Sequence, residues 1–239
     1  MLPITADNQD TALTIFSTLN NRGMPLSDAD IFKAKIYNQL DSEAKKEFID
    51  AWQTLDEDAE SIGESMQQLF YYYMFYLRAL EGNIDTTVQG VRKYYQSDKC
   101  KRLYEKNLLK NLKTILTFWQ VVRNRISFEE QSWTKNIEIL KTLDILSSYP
   151  NEFWKYPVIT FYLQYYQTPT FEKDFLLFLH ELTAVIFTVY LEFATVSAVK
   201  GDIIKLNVDV TKTNKPVFNF KYYVTENLNE KIKTPHPKS

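Results

Sequence analysis

The sequence predicts a mainly α fold, an irregular array of many helices, and three observations carry that reading. Glycine is scarce, with five in 239 residues, so long flexible connections are few. Apolar residues recur at three- and four-residue spacing through most of the chain. Hydrophobic residues make up 45% and aromatic residues 15% of the composition, enough for a sizeable core and well outside the range of disordered chains. Net charge is −2, which gives no bulk attraction to nucleic acid or anionic membrane, so any basic surface must be local. The single cysteine, Cys100, excludes an internal disulfide and suits a reducing cytoplasm.

The elements follow in order. Ala12, Ile15, Phe16 and Leu19 lie at helical spacing, so a first helix runs over Thr11 to Asn20. Gly23 suits a helix end, and Pro25 blocks continuation. Ser27 caps a second helix to Leu40, with Asp30 three residues on completing a short-armed capping box. Asp41 caps a third helix over residues 42–59, in which Phe48, Trp52 and Leu55 share a face. Residues 64–80 form a fourth, apolar nearly all round from Phe70 to Leu77 and therefore buried on most sides. Gly82-Asn83 marks a turn, residues 85–95 a shorter helix, residues 98–125 a long one, and residues 131–146 another. Pro157 either kinks the next segment or starts its helix, which ends near Gln167.

Thr170 caps the most apolar helix, through Ala194. His180, Glu181 and Glu192 interrupt that run, which makes a buried core helix the expected reading rather than a membrane span. The first residues lack the basic start and apolar run of a signal peptide. Residues 203–224 read two ways. Ile204, Leu206, Val208 and Val210 alternate with polar residues, as do Phe218, Phe220, Tyr222 and Val224, which is the period of a small β-hairpin. The six-residue connection between them is longer than hairpins prefer, so helix stays open there.

Three groups are candidates for function. Asn20, Asn21 and Arg22 crowd one helix end; they either satisfy terminal carbonyls or meet a phosphate, for which the planar fork of arginine is suited. Arg102, Lys106, Lys110 and Lys113 are spaced four, four and three, so on a continuous helix they make one basic ridge. Such a ridge is either a solvated face or a track for a nucleic-acid backbone. Asp28 and Asp30 complement a helix N-terminus and have too few neighbouring ligands for a metal site. His180 reads as a core or interface histidine, and Cys100 as a plain thiol beside two lysines. Glu43, Glu47, Asp56, Glu57, Asp58 and Glu60 read as a solvated acidic face. No nucleophilic triad follows from any spacing, so no catalytic residue and no metal ligand is named.

The run Ile15-Phe16-Ser17-Thr18-Leu19-Asn20-Asn21-Arg22-Gly23-Met24-Pro25-Leu26-Ser27-Asp28-Ala29-Asp30-Ile31-Phe32-Lys33 resembles the GmrSD-type restriction endonuclease family, which includes modification-dependent defence nucleases. The match is dense over about 19 residues, and the rest of the chain resembles the family loosely, as its central helical region. Members begin with a ParB/sulfiredoxin-like domain carrying Asp-Gly-Gln-Gln-Arg for nucleotide hydrolysis, a string absent from this sequence. Many end in an HNH nuclease with a His-Ile-x-Pro signature, whereas Thr234-Pro235-His236-Pro237 lacks the isoleucine.

The resemblance therefore implies a helical piece of a phage-defence restriction protein, cytoplasmic, with no cofactor of its own. Nucleoside triphosphate and divalent metal are expected only in full-length relatives. DNA and the absent N- and C-terminal domains are the expected partners, with no membrane. On this reading residues 1–40 close the nucleotide-domain region, 41–233 form the helical domain, and 234–239 are a tail or linker. The alternative is a stand-alone helical protein-interaction module.

Overall fold

The computed structural model describes residues 27–193 and 195–220. Within them the fold is mainly α: nine α-helices and two 3-10 segments, and no strand among the described residues. The helices are α1 (Asp28–Gln39), α2 (Ser42–Ser61), α3 (Met66–Leu80), α4 (Val91–Gln96), α5 (Leu108–Asn124), α6 (Ile137–Ser147), α7 (Lys155–Tyr165), α8 (Phe171–Phe193) and α9 (Lys200–Val210). The expected helix over Thr11 to Asn20 lies outside the described residues.

Backbone proximity divides the chain into two compact units. The first comprises Met1–Tyr71 and Gln89–Lys113, the second Tyr72–Val88 and Thr114–Ser239. In the first unit the core is aromatic: Phe32 of α1 lies 4.9 Å from Phe70 and 5.2 Å from Tyr95, ring centroid to centroid, and Trp52 of α2 lies 5.9 Å from Phe70. The Tyr95 hydroxyl is not left bare in this core; it donates to the Phe70 carbonyl at 3.0 Å, as a buried phenol must to avoid its desolvation cost.

The second unit is built on a larger cluster. Phe118 of α5 packs against Trp133, Tyr162 of α7 and Phe175 of α8, all with centroids within 6.4 Å. Phe161 stacks on Phe178 at 4.6 Å, fixing α7 on α8. Helix α7 also packs on α9, and α6 on α8. The Asn207 amide of α9 donates to the Phe75 carbonyl of α3 at 3.0 Å. Pro157 sits in the first turn of α7, where a missing N–H costs no helical hydrogen bond. Helix α8 buries one side, including Phe175, Leu179, Leu182 and Ile186, and exposes Leu177 and Leu191 on the other. It is the one described helix long and apolar enough to cross a membrane by length and composition.

One open sequence reading is decided and two expectations are corrected. Residues 200–210 form helix, so the first arm of the alternating hairpin is not a strand; Ile203, Leu206 and Val210 are buried at helical spacing, and the same residues satisfy both periods. Residues 211–220 carry no strand, and the rest of the second arm lies outside the described residues. The long helix expected over 98–125 is broken: a 3-10 segment, Asp98–Tyr104, precedes α5. The helix expected over 85–95 is only Val91–Gln96, because the buried Arg78 guanidinium gathers the preceding turn, donating to Asn83 Oδ1 at 2.9 Å and to the Asp85 carbonyl at 2.6 Å.

Candidate functional site

The start of α1 is set by its own side chains. Ser27 is extended, and its hydroxyl accepts from the Asp30 amide at 3.1 Å. Asp30 Oδ2 in turn accepts from the Ser27 amide at 3.1 Å and from its hydroxyl at 2.8 Å. The short-armed capping box read from the sequence is therefore present and reciprocal. Asp28, beside it, accepts from Arg92 Nε at 2.7 Å, an ion pair that ties α1 to α4. Lys33 projects from the next turn over Trp52, 5.9 Å from the ring centroid. Burial, then the charge of Glu60, raises the Asp56 carboxyl above its ordinary value, while Lys33 lowers it and Asp30 raises it further. The N-terminal turn of α1 thus lies along the C-terminal half of α2. Asn20, Asn21 and Arg22 fall outside the described residues.

The basic candidates do not share one helical face. Arg102 belongs to the 3-10 segment, Lys106 to the turn before α5, and Lys110 and Lys113 to α5 itself. The break has a visible cause. Asp98, Lys99 and Cys100 hold φ of 50°, 53° and 62°, a left-handed turn that costs an L-residue about 1–2 kcal/mol each. Arg102 braces it: Nη1 donates to Ser97 Oγ at 2.9 Å, and the guanidinium lies 4.3 Å from the Tyr94 ring centroid. Arg102 is thereby a structural clamp in this unit. Cys100 is buried, so its flanking lysines do not make it an exposed nucleophile.

Beyond that turn, α2 and the start of α5 leave a groove. One part, about 500 Å³, runs from the α1 C-terminus past Ala44 and Phe48 to Tyr104 and Lys106. A second, about 360 Å³, continues past Thr54 and Asp58 against Lys110 and Lys113. Ala51 and Leu109 line both, so the two parts are continuous. The α2 residues that line it are Ala44, Glu47, Phe48, Ala51, Thr54, Leu55 and Asp58, which recur at spacings of three and four along one side of the helix. That is the seam spacing of paired helices, and its small members let another backbone come close. Tyr104 is 40% exposed here, and burial together with the Cys100 thiol pushes its phenol up. The sequence carried this signal, but the surrounding carboxylates read as a solvated face.

The second unit holds a buried cation that sequence reasoning did not single out. Lys155 Nζ donates to Glu152 Oε1 at 2.5 Å and to the Tyr72 hydroxyl at 3.2 Å, and lies 5.1 Å from the Trp119 ring centroid. An acid, a phenol and ring faces compensate its desolvation. Glu172 of α8 accepts from Ser132 and, at 2.7 Å, from Asn136 Nδ2; these bonds, that of Ser132 first, hold its carboxyl below the ordinary value. His180 is exposed on α8, so of the two readings, core or interface, the core one is excluded. Among the described residues no group of three or more His, Cys, Asp or Glu is placed to hold a metal ion. Comparison with family models, with curated proteins and with solved structures finds no match to this chain.

Proposed function

We propose that this chain is the helical region of a GmrSD-like, modification-dependent DNA restriction protein, and that it connects a nucleotide-hydrolysing domain to a nuclease domain rather than catalysing either reaction. The supporting observation is the Ile15 to Lys33 pattern. Its second half has an identified physical role: Ser27 and Asp30 close a helix start, and Asp28 anchors it to Arg92. Asn20, Asn21 and Arg22, which lie outside the described residues, are assigned to phosphate binding with the nucleotide domain, since the planar fork of arginine suits phosphate. The mainly α fold agrees with the helical region that the resemblance implies. Arg102 braces its turn, and Lys106, Lys110 and Lys113, in the turn before α5 and on α5, are the DNA-backbone candidates beyond it.

The purified chain is incubated with nucleoside triphosphates and with modified and plain DNA. No turnover is expected. A DNA mobility shift that weakens as salt rises, and weakens further in a Lys110→Glu/Lys113→Glu variant, is expected if the α5 lysines neutralise phosphates. Turnover that survives purification controls and disappears in Arg22→Ala would overturn the non-catalytic reading.

A second reading, a helical protein-interaction module, is favoured by the α2–α5 groove and its paired-helix spacing. Light scattering and capture of a helical partner that fails on filling the groove would support it.

A further inference from the structure

We infer that the solvent side of α8 is a self-association seam, on which a second copy of the chain packs its own α8, antiparallel, about a two-fold axis at Ala184. The inference rests on neither functional reading above, since it uses α8 of the second unit and not the groove or the lysines of the first.

The side of α8 turned away from the core carries an ordered stripe. Leu177, His180, Ala184, Thr188 and Leu191 are spaced three, four, four and three, and so share one face along about 21 Å of helix. Leu177 is 53% and Leu191 82% exposed; His180 and Ala184 are exposed, and Thr188 is half-buried. The order is symmetric about Ala184, with His180 and Thr188 four residues to either side and the two leucines seven. A second α8 crossing it in the opposite direction therefore meets every position with its counterpart. Leucine meets leucine at both ends, and the His180 imidazole meets a Thr188 hydroxyl. At the centre alanine meets alanine, which lets the two helix axes come close. A two-fold interface requires a patch that complements itself, and an unrelated partner does not.

Charge selects the direction. The charges along this side are Lys173 and Glu181, both exposed, and half-buried Glu192. In a parallel pair each faces its own copy at the same level, which is repulsive three times over. In the antiparallel pair the two Lys173 stand about 33 Å apart along the axis and the two Glu181 about 9 Å apart, beyond most of their mutual repulsion in salt. Lys173 instead comes within one turn of the second copy's Glu192. Helix α6, packed on α8, adds exposed Glu138 and Lys141, one of each sign, while Asp144 is paired with Arg125.

Area sets the strength. From Lys173 to Leu191 the seam is about 27 Å long and about 10 Å wide, so each copy covers on the order of 500 Å² of accessible surface. That total lies at the low end of specific interfaces and makes the dimer a weak, reversible one.

The unmodified chain provides the first test. Sedimentation equilibrium between about 10 μM and about 1 mM is expected to show a monomer–dimer equilibrium. A monomer at every concentration would overturn the inference. Leu191→Glu is expected to weaken association at least tenfold, and Ile84→Glu, 53% exposed in the turn after α3, less than twofold, with circular dichroism as the folding control. Equal weakening by both would show unspecific apolar association and overturn it. Direction is read by cysteine pairing in a Cys100→Ser background. Ala184→Cys is expected to bond to its own copy, and Leu177→Cys to bond to Leu191→Cys in a mixture of the two. Leu177→Cys alone is expected to bond at least tenfold more slowly, because its two copies lie about 21 Å apart along the axis. A 177–177 bond as fast as the 177–191 bond would overturn the antiparallel seam.

Discussion

Removing the Ser27 hydroxyl gives the sharpest separation of structure from function within the motif. Three hydrogen bonds join Ser27 and Asp30: amide to carboxylate at 3.1 Å, hydroxyl to carboxylate at 2.8 Å, and amide to hydroxyl at 3.1 Å. Ser27→Ala removes the two that use the hydroxyl. Asp30→Ala removes the two that use the carboxylate, so the hydroxyl–carboxylate bond is lost in either. All three are exposed, so no desolvation penalty enlarges the loss, and the Ser27→Ala cost is that of an N-cap, about 1 kcal/mol.

Asp30→Ala carries a similar loss plus about 0.3–1 kcal/mol of helix-dipole complement, partly offset because Asp30 repels Asp56. The shared bond makes the double variant less costly than the sum of the singles, by about 0.5–1 kcal/mol. Amide hydrogen exchange over residues 27–40 reads this locally. Each single variant should exchange about fivefold faster in α1, whereas Arg22→Ala should leave α1 within about twofold of the parent. Additive singles, or α1 exchange in Arg22→Ala as fast as in Ser27→Ala, would refute the division of the motif into a helix-starting half and a phosphate-facing half.

Three further outcomes test the packing. Glu172 titrates below its ordinary 4.5 because Ser132 and Asn136 donate to the carboxylate, so its contribution is fully present above that value and is lost as pH falls through the folded pKa; Glu172→Gln should lower the melting temperature at pH 6, and the difference should vanish in strong acid. Lys99→Gly should raise stability by about 0.5–1 kcal/mol in urea titration, since φ of 53° carries a penalty that glycine does not share. Phe118→Ala, at the centre of the second unit's ring cluster and fully buried, should cost about 3–5 kcal/mol in the same titration, with loss of near-ultraviolet dichroism.

Local signals with a single physical meaning were legible in the sequence. Ser27, Asp30 and Asp41 cap helices because short oxygen-bearing side chains there have one good use, and α1 and α2 begin where they indicate. The Phe70 to Leu77 run reads correctly as buried on most sides. Signals with two meanings failed. Alternation over 204–210 also places Ile203, Leu206 and Val210 on one helical face, and packing of α9 on α7 decided for helix. The basic ridge assumed an unbroken helix, but no glycine marks the left-handed turn at residues 98–100; Arg102 holds it from a distance that periodicity does not see. Lys155 looks like any surface lysine until α3 and α5 bring Tyr72 and Trp119 beside it. Of the motif itself, the capping half was readable from side-chain chemistry, while Asn20, Asn21 and Arg22 lie outside the described residues.

The proposal that this chain connects a nucleotide-hydrolysing domain to a nuclease domain is tested most directly by triphosphate hydrolysis, measured for the chain alone and for the chain joined to the Asp-Gly-Gln-Gln-Arg domain of a GmrSD-type protein. Hydrolysis is predicted only in the joined protein, stimulated by modified DNA and lost in Arg22→Ala. Hydrolysis by the chain alone, or a joined protein indifferent to Arg22→Ala, would contradict the account.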